Sequence, residues 1–351
     1  MVGNRPQFVK AAAVSGPLRE VADEVLVHTG QHHDPGLSEV FFTELAIPRP
    51  DEHLGISGGD DDDQVERMVE ALLPLMAGHE PDWVLVYGDT NTTLAGAIAA
   101  DRSGFPVAHV EAGMRSFDSS MPEERNRIAT DRLSDLLLCS TRVAVANLKA
   151  EDLDGRIELV GDVMADVVAM VAPRVSGRTV ALDELGLVAG GYLLVTVHRA
   201  GNVDSPDALD QLLSVLESLA MPAVLPLHPR TGDRLERFGL RARLDAIPGL
   251  LVTEPLGYVD FQSLLANSRA LLTDSGGAQK EAYLHGVQCV TLRSTTEWTE
   301  TVETGWNTLA GLDPADVARA LDRPPEGERP NLYGDARAGE RIAAALTIAR
   351  S

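Results

Sequence analysis

Cysteine and long apolar runs are the features that this sequence most plainly lacks. Only Cys139 and Cys289 occur in 351 residues, and each lies in an apolar run. They are predicted to be buried small hydrophobes, since a disulfide framework or a metal site needs cysteines at defined spacings. No apolar stretch reaches membrane-spanning length, and no signal peptide opens the chain. We therefore expect a soluble, cytoplasmic protein with no membrane partner.

Positive charge is also scarce. The formal net charge is −23, the isoelectric point is about 4.7, and no basic stripe interrupts the acidic background. This balance argues against a nucleic-acid partner. Lysine occurs only at positions 10, 149 and 280. Because an anionic substrate needs local positive charge, each lysine that falls inside a motif is of interest.

What the chain does contain is a regular alternation of short apolar runs and longer amphipathic runs. The predicted strands are 24–28, 83–87, 107–110, 136–139, 156–160, 192–197, 223–227, 250–253, 270–272 and 288–292. The clearest predicted helices are 64–75, 92–101, 206–219, 261–266 and 338–349. The run 58–63 (GGDDDD) is predicted to be a solvated loop. Such alternation predicts parallel sheets with helices on both faces, and about ten strands fit two sheets better than one.

The break between the two sheets is predicted near residues 161–170, after a strand and before an apolar helix. We predict an α/β protein with two Rossmann-like domains. The first comprises residues 1–164 and 336–351, so that the last helix packs back on it, and the second comprises residues 165–335.

Polar clusters follow five of the predicted strands. They are Gly88-Asp89-Thr90-Asn91-Thr92, Glu111-Ala112-Gly113, His198-Arg199, His228-Pro229-Arg230 and Asp274-Ser275-Gly276-Gly277. In open α/β sheets the carboxyl ends of the strands form the ligand crevice. Because the clusters divide between the two halves, we expect one cleft between two domains.

The segment TDSGGAQKE, residues 273–281, is the best single binding signal. A strand runs into Ser275 and the paired Gly276 and Gly277, and a helix follows. The exposed N–H groups and the positive end of the helix dipole would hold a phosphate. The alternative is a plain helix whose N-cap is Asp274 or Ser275.

Two cations near the start of the chain give a second phosphate signal. Arg5 and Lys10 bracket a predicted turn and helix start in an otherwise acidic protein. Arginine suits bidentate phosphate contacts and lysine supplies a point charge. The alternative is a pair of surface cations.

Carboxylates and guanidiniums crowd together between Pro106 and Arg127. Glu111 ends a short strand, and Glu123 and Glu124 follow a proline beside two arginines. Such crowding shifts proton affinities, as acid–base chemistry requires. The alternative is a strand end followed by a helix N-terminus, where Glu suits the dipole.

The other strand-end residues have structural interpretations of their own. Asp89 could be only a helix N-cap, and His198 and His228 could be satisfied strand-end histidines. His32 follows Gln31 after another predicted strand. The histidines are not spaced as in zinc sites, and no G-x-S-x-G elbow occurs.

Taken together, the motifs resemble the non-hydrolysing UDP-N-acetylglucosamine 2-epimerases, over nearly the whole chain. The motifs are GNRPQFVK (3–10), TGQH (29–32), GDTNTT (88–93), HVEAG (109–113), PEERNR (122–127), HR (198–199), LHPRT (227–231), PLGYVDF (255–261), TDSGGAQKE (273–281) and TTEWTETVETGWN (295–307). In this order and spacing the set is highly specific. The resemblance implies a GT-B-like fold, with two parallel sheets facing each other across a cleft.

The resemblance also assigns roles to residues. It implies catalytic roles for Asp89, Glu111, Glu123 and His198, diphosphate contacts for Arg5, Lys10, Ser275 and Gly276, ribose binding for Glu281, packing near uracil for Phe261, and cleft-lining positions for Arg127, His228 and Arg293. Gln31, His32 and Gly277 complete the expected substrate-binding set. Glu124 and Arg125 become helix surface or support.

The implied reaction inverts C2 of the sugar by elimination and re-addition of UDP, without a cofactor or metal. The implied partner is a UDP-sugar, UDP-N-acetylglucosamine in the first instance, and the resemblance suggests a homodimer. The segments TGQHHDPGLSEVFF and MPEERNR also resemble relatives acting on UDP-2,3-diacetamido-2,3-dideoxyglucuronate. A hydrolysing epimerase, a GT-B glycosyltransferase and a non-catalytic nucleotide-sugar sensor are the remaining alternatives.

Overall fold

The computed structural model describes residues 1–31, 44–45, 47–175 and 180–348. The chain divides into two compact units. Unit 1 comprises Met1–Met170 and Asn331–Ser351, and unit 2 comprises Val171–Pro330. The domain boundaries after residues 164 and 335 stay a prediction, and the predicted binding residue His32 lies outside the described residues.

Strands and helices alternate along unit 1. Its strands are β1 (Val27–His28), β2 (Glu52–His53), β3 (Val84–Tyr87), β4 (Val107–Val110), β5 (Leu136–Cys139) and β6 (Arg156–Leu159). Its helices are α1 (Arg5–Arg19), α2 (Asp61–His79), α3 (Asn91–Ser103), α4 (Pro122–Arg132), α5 (Arg142–Glu151), α6 (Val163–Val175), which continues past residue 170, and the last helix of the chain, α16 (Ala338–Ile348).

The strands of unit 1 that the structure describes form two hydrogen-bonded groups. The order β3-β4-β5-β6 makes a four-stranded parallel sheet, while β1 and β2 form a separate parallel pair. The first residues of the chain run between the groups: Val2 forms an isolated bridge with His28, and the Met1 ammonium donates to the Leu85 carbonyl at 2.8 Å. Gly3 is needed here because a Cβ would collide with two threonine hydroxyls.

Unit 2 contains one six-stranded sheet. Its strands are β7 (Leu193–Thr196), β8 (Ala223–Pro226), β9 (Leu250–Thr253), β10 (Ala270–Thr273), β11 (Gln288–Thr291) and β12 (Asn307–Leu309), in the order β12-β11-β10-β7-β8-β9, all parallel. Its helices are α7 (Val180–Glu184), α8 (Ala200–Val203), α9 (Pro206–Glu217), α10 (Pro229–Arg237), α11 (Arg241–Asp245), α12 (Tyr258–Asn267), α13 (Gly276–His285), α14 (Thr299–Glu303) and α15 (Pro314–Leu321).

Each of the predicted strands is present, but two expectations about local structure are wrong. The strand predicted at 24–28 shrinks to Val27–His28, and the short strands β2 and β12 were not predicted. The acidic run 58–63 is not all loop: Asp60 is the N-cap of α2 and accepts the Asp63 N–H at 2.9 Å, and Asp61–Asp63 form the first turn. Carboxylates at a helix N-terminus complement the positive end of the dipole.

Apolar side chains cover both faces of the central sheet of unit 2, as a parallel sheet requires. Leu193 and Val195 of β7 belong to one buried cluster, and Leu194, between them, belongs to the cluster on the opposite face. In unit 1, α16 packs on α1 so closely that a Cβ on Gly339 would collide with the Ala13 carbonyl. Among the described residues, no helix has the length and apolarity needed to cross a membrane.

Candidate active site

The turn after β3 places Asp89 at the carboxyl end of the sheet of unit 1. Gly88 has φ +68°, a left-handed conformation that favours glycine, and a Cβ there would lie 2.9 Å from the Lys10 ammonium. Thr90, and not Asp89, is the N-cap of α3, where it forms a capping box with Thr93. The interpretation of Asp89 as a helix N-cap is therefore wrong, and its carboxylate is available for other contacts.

Glu111 occupies the equivalent position after β4. Its φ is +73°, which is uncommon for a residue other than glycine, and its backbone N–H donates to the Leu138 carbonyl at 3.0 Å. The side chain is buried and forms an ion pair with Lys10 of α1. Lys10 is itself nearly buried, so the interpretation of this lysine as a surface cation is wrong.

The first turn of α4 carries Glu123 and Glu124. Glu123 is partly exposed, whereas Glu124 is only 2% exposed. The Glu124 carboxylate accepts hydrogen bonds from the Ser116 N–H and hydroxyl and from the Phe117 N–H, each at 2.9 Å. The suggestion that Glu124 lies on the helix surface is wrong, because its carboxylate is buried and supports the loop at residues 116–117. Phe117 has φ +56° and an exposed fraction of 81%.

Arg127 connects the carboxylates of α4 with Asp89. It is buried, donates to Glu124 at 2.8 Å and forms an ion pair with Asp89. The amide of the preceding residue, Asn126, donates to the Asp89 carbonyl at 3.2 Å and to the Asn91 side chain at 3.1 Å. Helix α4 thus holds the turn after β3 through both a side chain and a backbone carbonyl.

The remaining predicted residues of unit 1, Arg5 and Gln31, lie at the start of α1 and shortly after β1. Arg5 is the first residue of α1 and is partly exposed. Gln31 accepts hydrogen bonds from the Thr92 backbone N–H at 3.2 Å and from the Thr92 hydroxyl at 2.8 Å. Gln31 therefore steadies the first turn of α3, and a contact of either residue with substrate stays a prediction.

A buried charged network beneath these turns was not predicted. His109 of β4 and Asp131 of α4 are 0% and 1% exposed, and their Nδ1 and Oδ1 atoms are 2.7 Å apart. Arg115 donates to Asp131 Oδ2 at 2.7 Å and to both oxygens of Glu151 at 2.6 and 2.8 Å. Burial opposes ionisation of Asp131, but the His109 and Arg115 charges outweigh it and lower its pKa. The histidine in HVEAG was the only sequence signal for this network.

In unit 2, the start of α13 is capped by a serine, with a glycine where a side chain would not fit. The Ser275 hydroxyl accepts the Ala278 N–H at 3.5 Å, so the capped-helix alternative is present. A Cβ on Gly276 would collide with the Glu297 carboxylate and lie 3.2 Å from Trp298, whereas a Cβ on Gly277 would meet nothing within 4 Å. Binding of a phosphate at this N-terminus stays a prediction.

His198 follows β7, and its backbone contacts the buried Asp274. Asp274 accepts the backbone N–H groups of His198 at 3.0 Å and Arg199 at 2.8 Å, and the Asn202 amide at 3.1 Å. Burial nevertheless raises the pKa of Asp274. The His198 ring stacks on His228 with centroids 4.7 Å apart.

The other predicted residues of unit 2 lie at the start of α10, on α12, on α13 and after β11. His228 is the N-cap of α10 and accepts the Arg230 N–H at 3.2 Å, as the strand-end interpretation implies. Arg293 donates to Glu297 at 3.1 Å, and Glu281 is buried on α13. Phe261 is also buried, in the apolar cluster on one face of the sheet. Packing of its ring near uracil stays a prediction.

The metal and thiol chemistry of the described residues is limited. No group of three or more His, Cys, Asp or Glu side chains in this part of the chain could hold a metal ion. Cys139 and Cys289 are free and buried, as predicted, and burial raises the pKa of each thiol to about 12.

Comparison with known proteins finds relatives that match nearly the whole chain. The family model described as UDP-N-acetylglucosamine 2-epimerase matches residues 18–347. A UDP-2,3-diacetamido-2,3-dideoxy-D-glucuronate 2-epimerase of Pseudomonas aeruginosa is 43% identical over 98% of this chain and 97% of its own length. A UDP-N-acetylglucosamine 2-epimerase of Methanococcus maripaludis is 36% identical over 97% of this chain and 96% of its own.

A solved structure shows the same fold. The UDP-GlcNAc 2-epimerase of Methanocaldococcus jannaschii, in complex with UDP-GlcNAc and UDP, superposes with a TM-score of 0.92 at 35% identity and covers 99% of this chain and 98% of its own. Fold and similarity define the class: a GT-B-like α/β isomerase that acts on UDP-sugars. Within that class, the chain belongs to the UDP-N-acetylglucosamine 2-epimerase family, so the resemblance inferred from the motifs is confirmed.

Proposed function

We propose that this protein inverts C2 of a UDP-2-acetamido sugar by elimination and re-addition of UDP. The observation that carries the proposal is the grouping of acids in unit 1. Asp89 and Glu111 follow adjacent parallel strands, each paired with a buried or nearly buried cation, and Glu123 lies on the helix that holds Asp89. Proton transfer from carbon needs acid–base groups that are held at fixed positions.

The elimination balances without a redox partner. A base takes the proton from C2, the electron pair of that C–H bond forms the C1–C2 double bond, and the C1–O bond breaks with its electrons leaving on UDP. The intermediate is a 2-acetamidoglucal. Re-addition places a proton on the opposite face of C2 and returns the UDP oxygen to C1, so the net change is the configuration at C2.

The two units supply different parts of this chemistry in our proposal. Asp89, Glu111 and Glu123 of unit 1 exchange the C2 proton. In unit 2 the start of α13, at Ser275 and Gly276, holds the diphosphate, and His198 assists its departure. The position of this N-terminus after β10, the partial exposure of Ser275 and the partial exposure of His198 support this assignment.

The sugar is the finer question. An identity of 43% with the diacetamidoglucuronate epimerase, against 36% with a UDP-N-acetylglucosamine epimerase, favours the diacetamido uronate as substrate. UDP-N-acetylglucosamine, the first expectation from the motifs, is the second candidate. Both carry an acetamido group and a proton on C2 and UDP on C1, so the reaction is the same.

Proton NMR with each UDP-sugar in D₂O tests the proposal. Deuterium is expected at C2 of the product, and the preferred sugar is the one with the larger kcat/KM. Protium retained at C2 would rule out proton exchange. Free UDP that accumulates in step with free sugar would instead establish a hydrolysing epimerase, and binding without turnover of either sugar would indicate a sensor.

A further inference from the structure

The buried pair His109 and Asp131 lies behind both strand-end turns that carry the proposed catalytic carboxylates. His109 Nε2 is 2.6 Å from the carbonyl oxygen of Gly88, the residue before Asp89. Asp131 Oδ2 accepts the N–H of Gly113, two residues after Glu111, at 3.1 Å. One side-chain pair therefore ties the two turns together.

The geometry fixes where the protons of His109 lie. Gly88 offers only a carbonyl oxygen, which accepts, so Nε2 must carry a proton. Nδ1 faces Asp131, whose other oxygen accepts from Arg115 at 2.7 Å. An aspartate that faces a guanidinium is an acceptor, so Nδ1 must also carry a proton. Protons on both nitrogens make the ring an imidazolium.

The charges around the ring balance in this state. Asp131 and Glu151 supply two negative charges, and Arg115 and His109 supply two positive ones. A neutral His109 would leave these four groups with a net charge of −1, although the Glu151 side chain is 30% exposed and can be solvated. The imidazolium is therefore indicated more strongly by the acceptor that faces each ring nitrogen. Cys139, on the neighbouring strand, adds no charge, because burial raises its thiol pKa to about 12.

Two further ion pairs face the same turns. Lys10 of α1 pairs with Glu111, and Arg127 of α4 pairs with Asp89. These pairs contact the carboxylates themselves, whereas His109 contacts only the backbone of the turn. Its effect on chemistry would therefore be indirect, through position and through its charge.

We propose that His109 is a doubly protonated positioning residue which, together with Asp131, holds the Asp89 and Glu111 turns in register for proton transfer. The inference rests on the proposed function for its catalytic consequence. The protonation state itself does not depend on that function, so the two can fail separately.

The first test is made on the resting native protein. In histidine-labelled protein, long-range ¹H–¹⁵N spectra are expected to show one imidazole that carries both N–H protons at pH 8. The signal is expected to disappear in His109→Gln and to persist in His79→Gln, a partly exposed surface control. If no imidazole of the native protein carries two protons at pH 8, the proposal is overturned, whether or not any variant folds.

The second test separates positioning from a merely structural role. His109→Gln keeps a donor for the Gly88 carbonyl but removes the charge. We expect kcat to fall at least about tenfold with KM nearly unchanged, and the acidic limb of the kcat/KM profile to move to higher pH by about half a unit or more. The limb moves upward because removing a nearby cation favours the protonated base. A fall in kcat with an unmoved limb, or an unchanged kcat, would contradict the role.

Discussion

Each unit places a buried aspartate beneath its proposed functional residues, but the two aspartates are stabilised in opposite ways. Asp131 of unit 1 faces two cations, His109 and Arg115, and its pKa is lowered. Asp274 of unit 2 is held mostly by neutral N–H donors, and burial raises its pKa. Burial acts against the charge in both, so the difference lies in whether direct ion pairs or mainly the dipoles of N–H donors compensate it.

This difference matches the chemistry proposed for each unit. Exchange of a proton on carbon needs carboxylates held at fixed positions in a charged network, which unit 1 builds from ion pairs. Retention of a diphosphate needs hydrogen-bond donors at the ligand, and the proposal assigns this role to the start of α13 in unit 2. Four predictions, made with three pairs of variants, test this contrast.

The largest expected effect is on catalysis. Glu123→Gln in unit 1 is expected to lower kcat by about 10²–10⁴-fold, because an amide cannot exchange the proton, while UDP affinity stays as in the wild type. Steady-state kinetics and calorimetric UDP titration measure the two quantities. Glu66→Gln, an exposed glutamate paired with Arg102, is the matched control and should change neither. A large loss of UDP affinity would move Glu123 from chemistry to binding.

The next effect is on stability at pH 7. Asp131→Asn leaves two buried cations without their shared anion and is expected to cost about 3–5 kcal/mol of unfolding free energy. Asp274→Asn loses hydrogen bonds to neutral donors and is expected to cost about 1–3 kcal/mol. Urea unfolding followed by fluorescence measures both. Equal costs would show that the two aspartates are compensated alike.

The pH dependence of these costs is expected to have opposite signs. A lowered folded pKa means that Asp131 stabilises above the ordinary carboxyl value of 3.8 and loses this effect as pH falls through its folded pKa. A raised folded pKa means that the folded state holds the Asp274 proton longer, so its contribution falls as pH rises from 3.8 through the folded value. From pH 3 to 7 the cost of Asp131→Asn should therefore grow and that of Asp274→Asn should shrink. Parallel trends would contradict the contrast.

How far the sequence predicted the site depends on the range of the interactions involved. Strand ends follow from local apolar patterning, and β4, β5 and β9 were predicted with their observed bounds. The predicted Asp89 and Glu111 then fall beside each other, because adjacent parallel strands end at the same edge.

Buried charges were the part that sequence reasoning missed. Glu124 looks like an ordinary first-turn carboxylate until the loop at 116–117 folds over it. Asp131 lies in a polar helix, and its partner His109 is 22 residues away in the chain. No local pattern marks such pairs, because burial of a charge depends on tertiary partners.

The smallest expected effect tests whether the paired glycines of α13 serve one purpose or two. Gly276→Ala should push the new methyl group into Glu297 and disturb the ion pair of Glu297 with Arg293. Displacing this side chain is expected to cost roughly 1.4 kcal/mol of UDP binding free energy, which weakens UDP binding about tenfold. Gly277→Ala meets open space and should add up to about 1 kcal/mol of stability through helix propensity.

Titration calorimetry with UDP and urea unfolding, applied to both variants, decide between packing and ligand approach at this helix start. If Gly277→Ala keeps its stability gain but loses UDP affinity, the second glycine serves the close approach of the diphosphate and not the fold. If Gly276→Ala binds UDP normally, the collision with Glu297 is relieved without cost, and the anion site does not depend on that contact. Either result would show which of the two glycines the proposed anion site of unit 2 depends on, because backbone N–H groups bind phosphate only where no side chain blocks their approach.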